Sequence, residues 1–285
     1  MNAMTEPREH TFLGLGPHGF HRVAYVEWGA PNNPRVVVCV HGLTRNGRDF
    51  DYLARELARD FRVICPDIVG RGRSAWLTHA QDYAYPQYCA DMSALIARLD
   101  VEQVDWVGTS MGGLIGMMLA AQPNAPIRKF VMNDVGPFVP QAALERLAIY
   151  VGKAPAFTDM PGVERYLRET LAGFGALTSE QWHHLAQYSA SSKDQSAFQL
   201  HYDPSIGQAF AGPLRDVVLW PLWQALRCPT LVLRGTESDL LLAETLKQML
   251  ATRPGTLSKE FAAVGHAPAL MDAEQIGVVQ AFLRG

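Results

Sequence analysis

The sequence predicts an α/β fold built around a mostly parallel sheet. Strand-like and helix-like segments alternate along most of the chain, and several strand segments are nearly continuous apolar runs rich in valine and isoleucine. Such runs are typical of parallel strands that are covered on both faces of the sheet. Each helix candidate joins the end of one strand candidate to the start of the next, which indicates right-handed βαβ units.

The individual elements follow from this alternation. The strand candidates are residues 21–28, 35–40, 61–65, 103–107, 127–133, 230–234 and 258–264. The helix candidates that connect them are residues 49–59, 85–99, 112–121, 243–251 and 273–283.

One stretch, from about Phe138 to Pro213, interrupts the rhythm. It contains no convincing strand and has the pattern of helices punctuated by proline and glycine, at residues 142–151, 162–174 and 179–190. A loop of that length without secondary structure of its own is uncommon in a compact domain. We therefore expect a core formed by residues 1–137 and 214–285, with residues 138–213 inserted as a helical cap.

Composition excludes several classes of function. Of the 285 residues 48% are hydrophobic and 19% are charged, and the net charge is −3 without a block of like charges. These values indicate a sizeable core and no surface for nucleic acid or anionic membranes. The first ten residues lack the features of a secretory signal, and the longest apolar runs fall short of the ~20 residues that span a bilayer. We expect a cytoplasmic protein, whose oligomeric state stays open.

Cysteine and histidine spacing predicts no metal site. His183 and His184 are adjacent, so on a helix their side chains diverge by about 100° and face different directions. We expect four reduced and mostly buried thiols, because the cysteines form no CxxC pair and disulfides are rare in the cytosol. A nucleophilic cysteine is the less favoured alternative, since none lies in a turn that would expose it. The cysteines are Cys39, Cys65, Cys89 and Cys228.

Ser110 is the candidate nucleophile. It stands in Gly108-Thr109-Ser110-Met111-Gly112, followed by Gly113, between an apolar strand candidate and an apolar helix candidate. A serine hydroxyl attacks an acyl carbon only when it is exposed and held against a base, and a sharp strand-to-helix turn does both. The start of the helix also directs free N–H groups and positive dipole charge toward an oxyanion.

Four motifs in order resemble the α/β-hydrolase fold family, in particular its serine esterase and lactonase branch with a helical cap. They are His41-Gly42-Leu43, the segment from Asp67 to Ser74 (DIVGRGRS), the GTSMGG segment at 108–113, and Val264-Gly265-His266. The resemblance spans nearly the whole chain. It implies a mostly parallel eight-stranded sheet with helices on both faces, a cap after the sixth strand, and a nucleophile, acid, histidine order along the chain.

The resemblance also implies roles for individual residues. His266 matches the catalytic histidine, and His41 matches a residue that braces the oxyanion loop. The oxyanion donors would be the backbone N–H groups of Leu43 and Met111. Asp67 and Arg71 resemble residues that stabilise the turn after the third strand candidate.

Three carboxylates compete for the role of the catalytic acid. Asp239 is favoured, because it follows the strand before the last, where the family keeps its acid. Glu237 lies two residues earlier, and Asp134 follows the sixth strand, which is the position that some members use. We expect Asp239 to orient the ring of His266.

The implied reaction is acyl transfer to water from a small carboxylic ester or lactone, with no cofactor. A serine nucleophile excludes the family branches that use aspartate, the epoxide hydrolases and haloalkane dehalogenases. The alternatives are a carbon–carbon bond hydrolase of ring-cleavage products, a cofactor-free haloperoxidase or perhydrolase, an acyltransferase and a non-catalytic small-molecule receptor. Arg45, just past the oxyanion loop, would either clamp a substrate carboxylate or form a structural salt bridge.

Overall fold

The computed structural model describes residues 6–192 and 197–285. The first half of the core begins with a hairpin and continues with alternating strands and helices. Its elements are β1 (Arg8–Gly16), β2 (Gly19–Trp28), β3 (Val36–Val40), a 3₁₀ turn (Gly47–Phe50), α1 (Asp51–Leu57), β4 (Arg62–Pro66), a 3₁₀ turn (Ala80–Asp82), α2 (Tyr85–Arg98), β5 (Val104–Thr109), α3 (Met111–Ala120) and β6 (Ile127–Asn133).

Short strands and helices follow β6 before the core resumes. This region comprises β7 (Phe138–Val139), α4 (Gln141–Ala148), β8 (Ala156–Phe157), α5 (Met160–Thr170), a 3₁₀ turn (Ala172–Phe174), α6 (Ser179–Ser189), β9 (Ala190–Ser192), β10 (Phe198–Leu200), a 3₁₀ turn (Pro204–Phe210), β11 (Val217–Val218) and α7 (Trp220–Ala225). The core ends with β12 (Thr230–Gly235), α8 (Ala243–Thr252), β13 (Leu257–Phe261) and α9 (Ala273–Arg284).

Eight strands form the central sheet, in the order β1-β2-β4-β3-β5-β6-β12-β13. The β1/β2 and β2/β4 pairs are antiparallel, and every pair from β4 to β13 is parallel. In β3, Val38 and Val40 belong to one apolar cluster, whereas Val37 and Cys39 belong to another, which also contains residues of α1 and α9. The predicted fold class is therefore confirmed, and the apolar runs arise because both faces are covered.

The first strand, β1, was not among the strand candidates. Leu13 and Leu15 are 65% and 62% exposed, while Phe12, on the opposite face of the strand, is 8% exposed. Its apolar residues therefore lie on both faces of an edge strand, and the period-two alternation that marks a half-buried strand is lost. The hairpin is completed by β2, whose buried part was predicted.

The region between β6 and β12, called the inserted region below, has strands where the sequence predicted none. β7 pairs with β11 at its base, and β8, β10 and β9 form a three-stranded sheet. These strands are two or three residues long, too short to leave a repeating pattern. The expected helices are present as α4, α5 and α6, and apolar residues of α5 and α6 pack against each other. The division of the chain into core and cap at residues 138 and 213 stays a prediction.

Within residues 6–192 and 197–285, no helix has the length and apolar character needed to cross a bilayer.

Candidate active site

Ser110 lies in a strained turn between β5 and α3. Its φ and ψ are 52° and −115°, in the left-handed half of backbone space that few residues other than glycine adopt. The flanking glycines are required by close backbone contacts. A Cβ on Gly108 would lie 2.3 Å from the carbonyl oxygen of Gly112, and a Cβ on Gly112 would lie 2.0 Å from that of Val40. The first glycine of GxSxG is thus required by contacts within the turn itself, and the second by its packing against β3.

The loop after β13 brings His266 to the serine. The distance from Ser110 Oγ to His266 Nε2 is 2.9 Å, so the hydroxyl can donate a hydrogen bond to the neutral ring. This loop is packed closely on the end of β12, since a Cβ on Gly235 would lie 2.3 Å from the carbonyl oxygen of Val264. The side chain of His266 is 11% exposed, and the neighbouring Gly265 N–H donates to Gly173 of the inserted region.

Asp134, rather than Asp239, lies against the far nitrogen of the ring. His266 Nδ1 is 2.7 Å from Asp134 Oδ2, and the carboxylate is fully buried. Asp134 directly follows β6 and has a φ of 53°, a left-handed conformation that aspartate tolerates better than most residues. Asp239 instead forms a two-bond ion pair with Arg146, and its side chain is 48% exposed. The expected position of Asp239 is therefore corrected.

The path of the loop after β12 gives the reason for this correction. The chain turns at Gly235, where Ser238 N donates to the Gly235 carbonyl, and the residue that faces the site is Ser238. Its hydroxyl donates to Asp134 Oδ2 at 2.5 Å and accepts from the N–H of Leu241 at 3.1 Å. The next residue, Asp239, points outward, and Glu237 is also exposed.

Three donors converge on the carboxylate of Asp134. The Gly235 N–H donates to Oδ1 at 2.9 Å, while the hydroxyl of Ser238 and the ring N–H of His266 both donate to Oδ2. Hydrogen bonds of this kind stabilise the ionised form of a buried carboxylate and fix its orientation. Sequence reasoning missed Ser238, because only the pairing of β6 with β12 brings its loop to Asp134.

The turn after β3 is braced by His41. Its ring accepts a hydrogen bond from the N–H of Ile68 at Nε2, at 2.9 Å, and Nδ1 lies 2.7 Å from the Gly42 carbonyl, to which it donates. Burial lowers the pKa of His41 from 6.5 to about 3, so the ring is neutral. Arg71 supports the same turn, because its Nε donates to the carbonyl of Leu43 at 2.8 Å.

The predicted oxyanion donors are the backbone N–H groups of Leu43 and Met111. Within the described residues, Leu43 N–H donates no hydrogen bond. The N–H of Met111 is in the first turn of α3, where such groups have no partner inside the helix. Both belong to segments that border the pocket containing Ser110.

Arg45 also borders this pocket, but its guanidinium is held by a carboxylate. Nε and Nη2 donate to the two oxygens of Asp49 at 2.8 and 2.7 Å, and the Arg45 side chain is only 7% exposed. This geometry agrees with the structural salt bridge that was the alternative to a substrate clamp.

The pocket lies between the turn after β3 and the inserted region. Its cavity volume is about 50 Å³, enough for a few water molecules. Leu147, Leu171 and Phe174 give it apolar walls, and Arg146 and Tyr150 are polar lining residues. Burial raises the pKa of Tyr150, although the guanidinium of Arg146 opposes the shift, so its hydroxyl is a protonated donor at neutral pH.

Across the part of the chain that the structure describes, no group of three or more His, Cys, Asp or Glu side chains is arranged to hold an ion.

Comparison with known proteins identifies the family. The model of the alpha/beta hydrolase family matches residues 37–277. The chain belongs to this family. An alpha/beta hydrolase of known structure from Novosphingobium aromaticivorans is 36% identical, with a TM-score of 0.88 and coverage of 99% of both chains. A solved structure from Rickettsia typhi is 32% identical, with a TM-score of 0.91, covering 98% of this chain and 99% of the other.

A curated relative of this hydrolase carries a more specific description. It is a 3-hydroxybutyrate-oligomer hydrolase from Cupriavidus necator, 47% identical over 280 residues, which make up 95% of this chain and 96% of the relative. The alpha/beta hydrolase described here is thus similar, over nearly its full length, to a protein named for the hydrolysis of an ester oligomer.

Proposed function

We propose that this protein hydrolyses short oligomeric esters of 3-hydroxybutyrate, or of a closely similar hydroxyacid, through an acyl-enzyme on Ser110. The observation that carries the proposal is the hydrogen-bonded chain from Ser110 Oγ through His266 to Asp134 at the side of a narrow pocket. The similarity to the 3-hydroxybutyrate-oligomer hydrolase supports the substrate class.

In acylation, Ser110 Oγ attacks the ester carbonyl and its proton passes to His266 Nε2. Negative charge moves to the carbonyl oxygen, where the N–H groups of Leu43 and Met111 stabilise it. The tetrahedral adduct then collapses. The bond to the leaving oxygen breaks, His266 returns the proton to that oxygen, and a hydroxyacid departs as its alcohol.

Deacylation repeats these steps with water. His266 Nε2 takes a proton from a water molecule, and the resulting hydroxide attacks the acyl carbon. The proton then returns to Ser110 Oγ as the acyl bond breaks, which releases a carboxylic acid and restores the enzyme. Asp134 holds Nδ1–H throughout, so that Nε2 faces the serine unprotonated, and its charge stabilises the imidazolium ring as it forms.

Kinetic assays of the purified protein test this proposal. Wild type should hydrolyse the linear dimer of 3-hydroxybutyrate, measured by release of monomer, and should be compared with acyl esters of graded length and with a few lactones. Ser110→Ala should lose several orders of magnitude in turnover. Ser93→Ala, which alters an exposed serine on α2, should match wild type. Absence of ester hydrolysis, or full activity of Ser110→Ala, would contradict the proposal.

A further inference from the structure

Arg146 is the pocket cation whose carboxylate partner is open to solvent. Its Nε and Nη2 bind Asp239 along one edge of the guanidinium, and the two side chains are 36% and 48% exposed. Asp239 does not border the pocket, whereas Arg146 does. Exposed ion pairs of this kind contribute little stability, so Arg146 can bind a second carboxylate at little cost to its pair with Asp239.

Arg45 offers a contrast inside the same pocket. Its bond pair with Asp49 has the same geometry, but the exposed fractions are only 7% and 15%. A second carboxylate that approached Arg45 would have to enter a desolvated pair whose charge is already balanced. Arg146 has no such barrier, because water screens Asp239 and the Nη1 group of Arg146 makes no hydrogen bond with that carboxylate.

Tyr150 adds a neutral donor beside this cation. It lies four residues after Arg146, in the turn just past the end of α4, and both side chains border the pocket. The charge of the guanidinium acts on the phenol, since it opposes the effect of burial on the pKa of Tyr150. A guanidinium together with a protonated phenol is suited to a carboxylate, which accepts several hydrogen bonds.

From these observations we infer that Arg146, assisted by Tyr150, binds the free carboxylate at the end of an oligomeric hydroxyacid ester. This inference rests on the proposed function. In a 3-hydroxybutyrate oligomer, the carboxylate of the last unit is separated from the last ester oxygen by two carbon atoms of the chain. The pocket is narrow, and it contains both Arg146 and Ser110. An anchored carboxylate therefore presents the last ester bond to Ser110, and the enzyme removes one hydroxyacid at a time from the carboxyl end.

The first test compares a dimer that has a free carboxylate with its methyl ester. Arg146→Met should raise KM for the free acid roughly tenfold to a hundredfold, as expected for loss of a charged hydrogen bond. The KM for the methyl ester, and kcat for both substrates, should stay within about threefold of wild type. Arg168→Met is the matched control, because Arg168 is also an inserted-region arginine that binds a carboxylate, Glu164, but does not border the pocket.

The second test follows the direction of cleavage. A trimer with a heavy isotope in its carboxyl-terminal unit is given to wild type, and the first monomers released are weighed. Labelled monomer together with unlabelled dimer supports the inference. Unlabelled monomer overturns it.

The outcomes separate this inference from the proposed function. Equal effects of Arg146→Met on the free acid and the methyl ester overturn the carboxylate site while ester hydrolysis stands. A selective effect of Arg45→Met without one from Arg146→Met assigns the anchor to Arg45 and also overturns the inference. Failure of wild type to cleave either substrate rejects both the inference and the proposed function.

Discussion

Replacing Asp134 with asparagine should cripple the enzyme while leaving its shape nearly unchanged. The carboxylate accepts hydrogen bonds on both oxygens, from Gly235 N–H on one and from Ser238 and His266 on the other. An amide has one accepting oxygen, so it cannot satisfy both sides. If its oxygen faces Gly235, its NH₂ group meets His266 Nδ1 and favours the ring tautomer whose Nε2 cannot accept the serine proton.

The magnitude follows from these two orientations. The wrong tautomer in a serine protease triad lowered turnover ~10⁴-fold, so we expect a loss of about 10³- to 10⁴-fold, or about 4–5.5 kcal/mol, for Asp134→Asn. The opposite orientation restores the tautomer but places the amide against the Gly235 N–H, which costs about 1–3 kcal/mol for buried unpaired groups. Turnover should therefore fall much more than KM changes, and the melting temperature should fall moderately.

The assay is steady-state hydrolysis of a neutral chromogenic ester, with circular dichroism to verify folding. Asp239→Asn is the control, because Asp239 lies outside the hydrogen-bonded chain and pairs with Arg146 at the surface. We expect kcat of Asp239→Asn to stay within about threefold of wild type. An active Asp134→Asn together with an inactive Asp239→Asn would show that Asp239, and not Asp134, orients the ring of His266.

Three further predictions concern residues that support the hydrogen-bonded side chains of Ser110, His266 and Asp134. Ser238→Ala should lower kcat about tenfold with KM little changed, since it removes one hydrogen bond to the charged Asp134; an unchanged kcat would show that Gly235 and the histidine ring suffice. His41 stays neutral in the fold with a pKa of about 3, whereas the unfolded ring gains a proton below its ordinary 6.5. As the pH falls from 5.5 to 4.5, wild type should therefore lose about 1.4 kcal/mol of unfolding free energy per pH unit relative to His41→Gln, measured by denaturant titration. An equal pH dependence of the unfolding free energy in the two proteins would contradict this. Gly112→Ala should lower the melting temperature sharply or abolish soluble expression, because its Cβ would lie 2.0 Å from a carbonyl oxygen of β3. Gly277→Ala, whose Cβ would meet nothing within 4 Å, should be neutral or slightly stabilising.

The fold could be predicted from the sequence because its signals are local. The apolar run of β3 and the glycines around Ser110 are each required by contacts with neighbouring segments of the fold. β1 escaped prediction because Leu13 and Leu15 lie on its exposed face. The strands of the inserted region were not predicted, because strands as short as β7 and β11 are too short to show an alternation of apolar and polar residues.

The candidate site was predicted unevenly for a related reason. Ser110 and His266 stand in distinctive motifs, and the structure brings the two side chains to hydrogen-bonding distance. The choice between Asp134 and Asp239 depends on which way a loop turns after β12. That direction is set by the hydrogen bond of Ser238 to Asp134 across two adjacent strands, a contact that leaves no mark in sequence spacing.

Covalent labelling shows directly whether Ser110 is the nucleophile of an ester hydrolase. Wild type is treated with a fluorophosphonate, digested and mapped by mass spectrometry while residual esterase activity is followed. We predict one adduct per chain, on the peptide that contains Ser110, with activity lost in proportion to labelling and no adduct on Ser110→Ala. Labelling of another residue, or full activity in a completely labelled protein, would show that Ser110 is not the nucleophile.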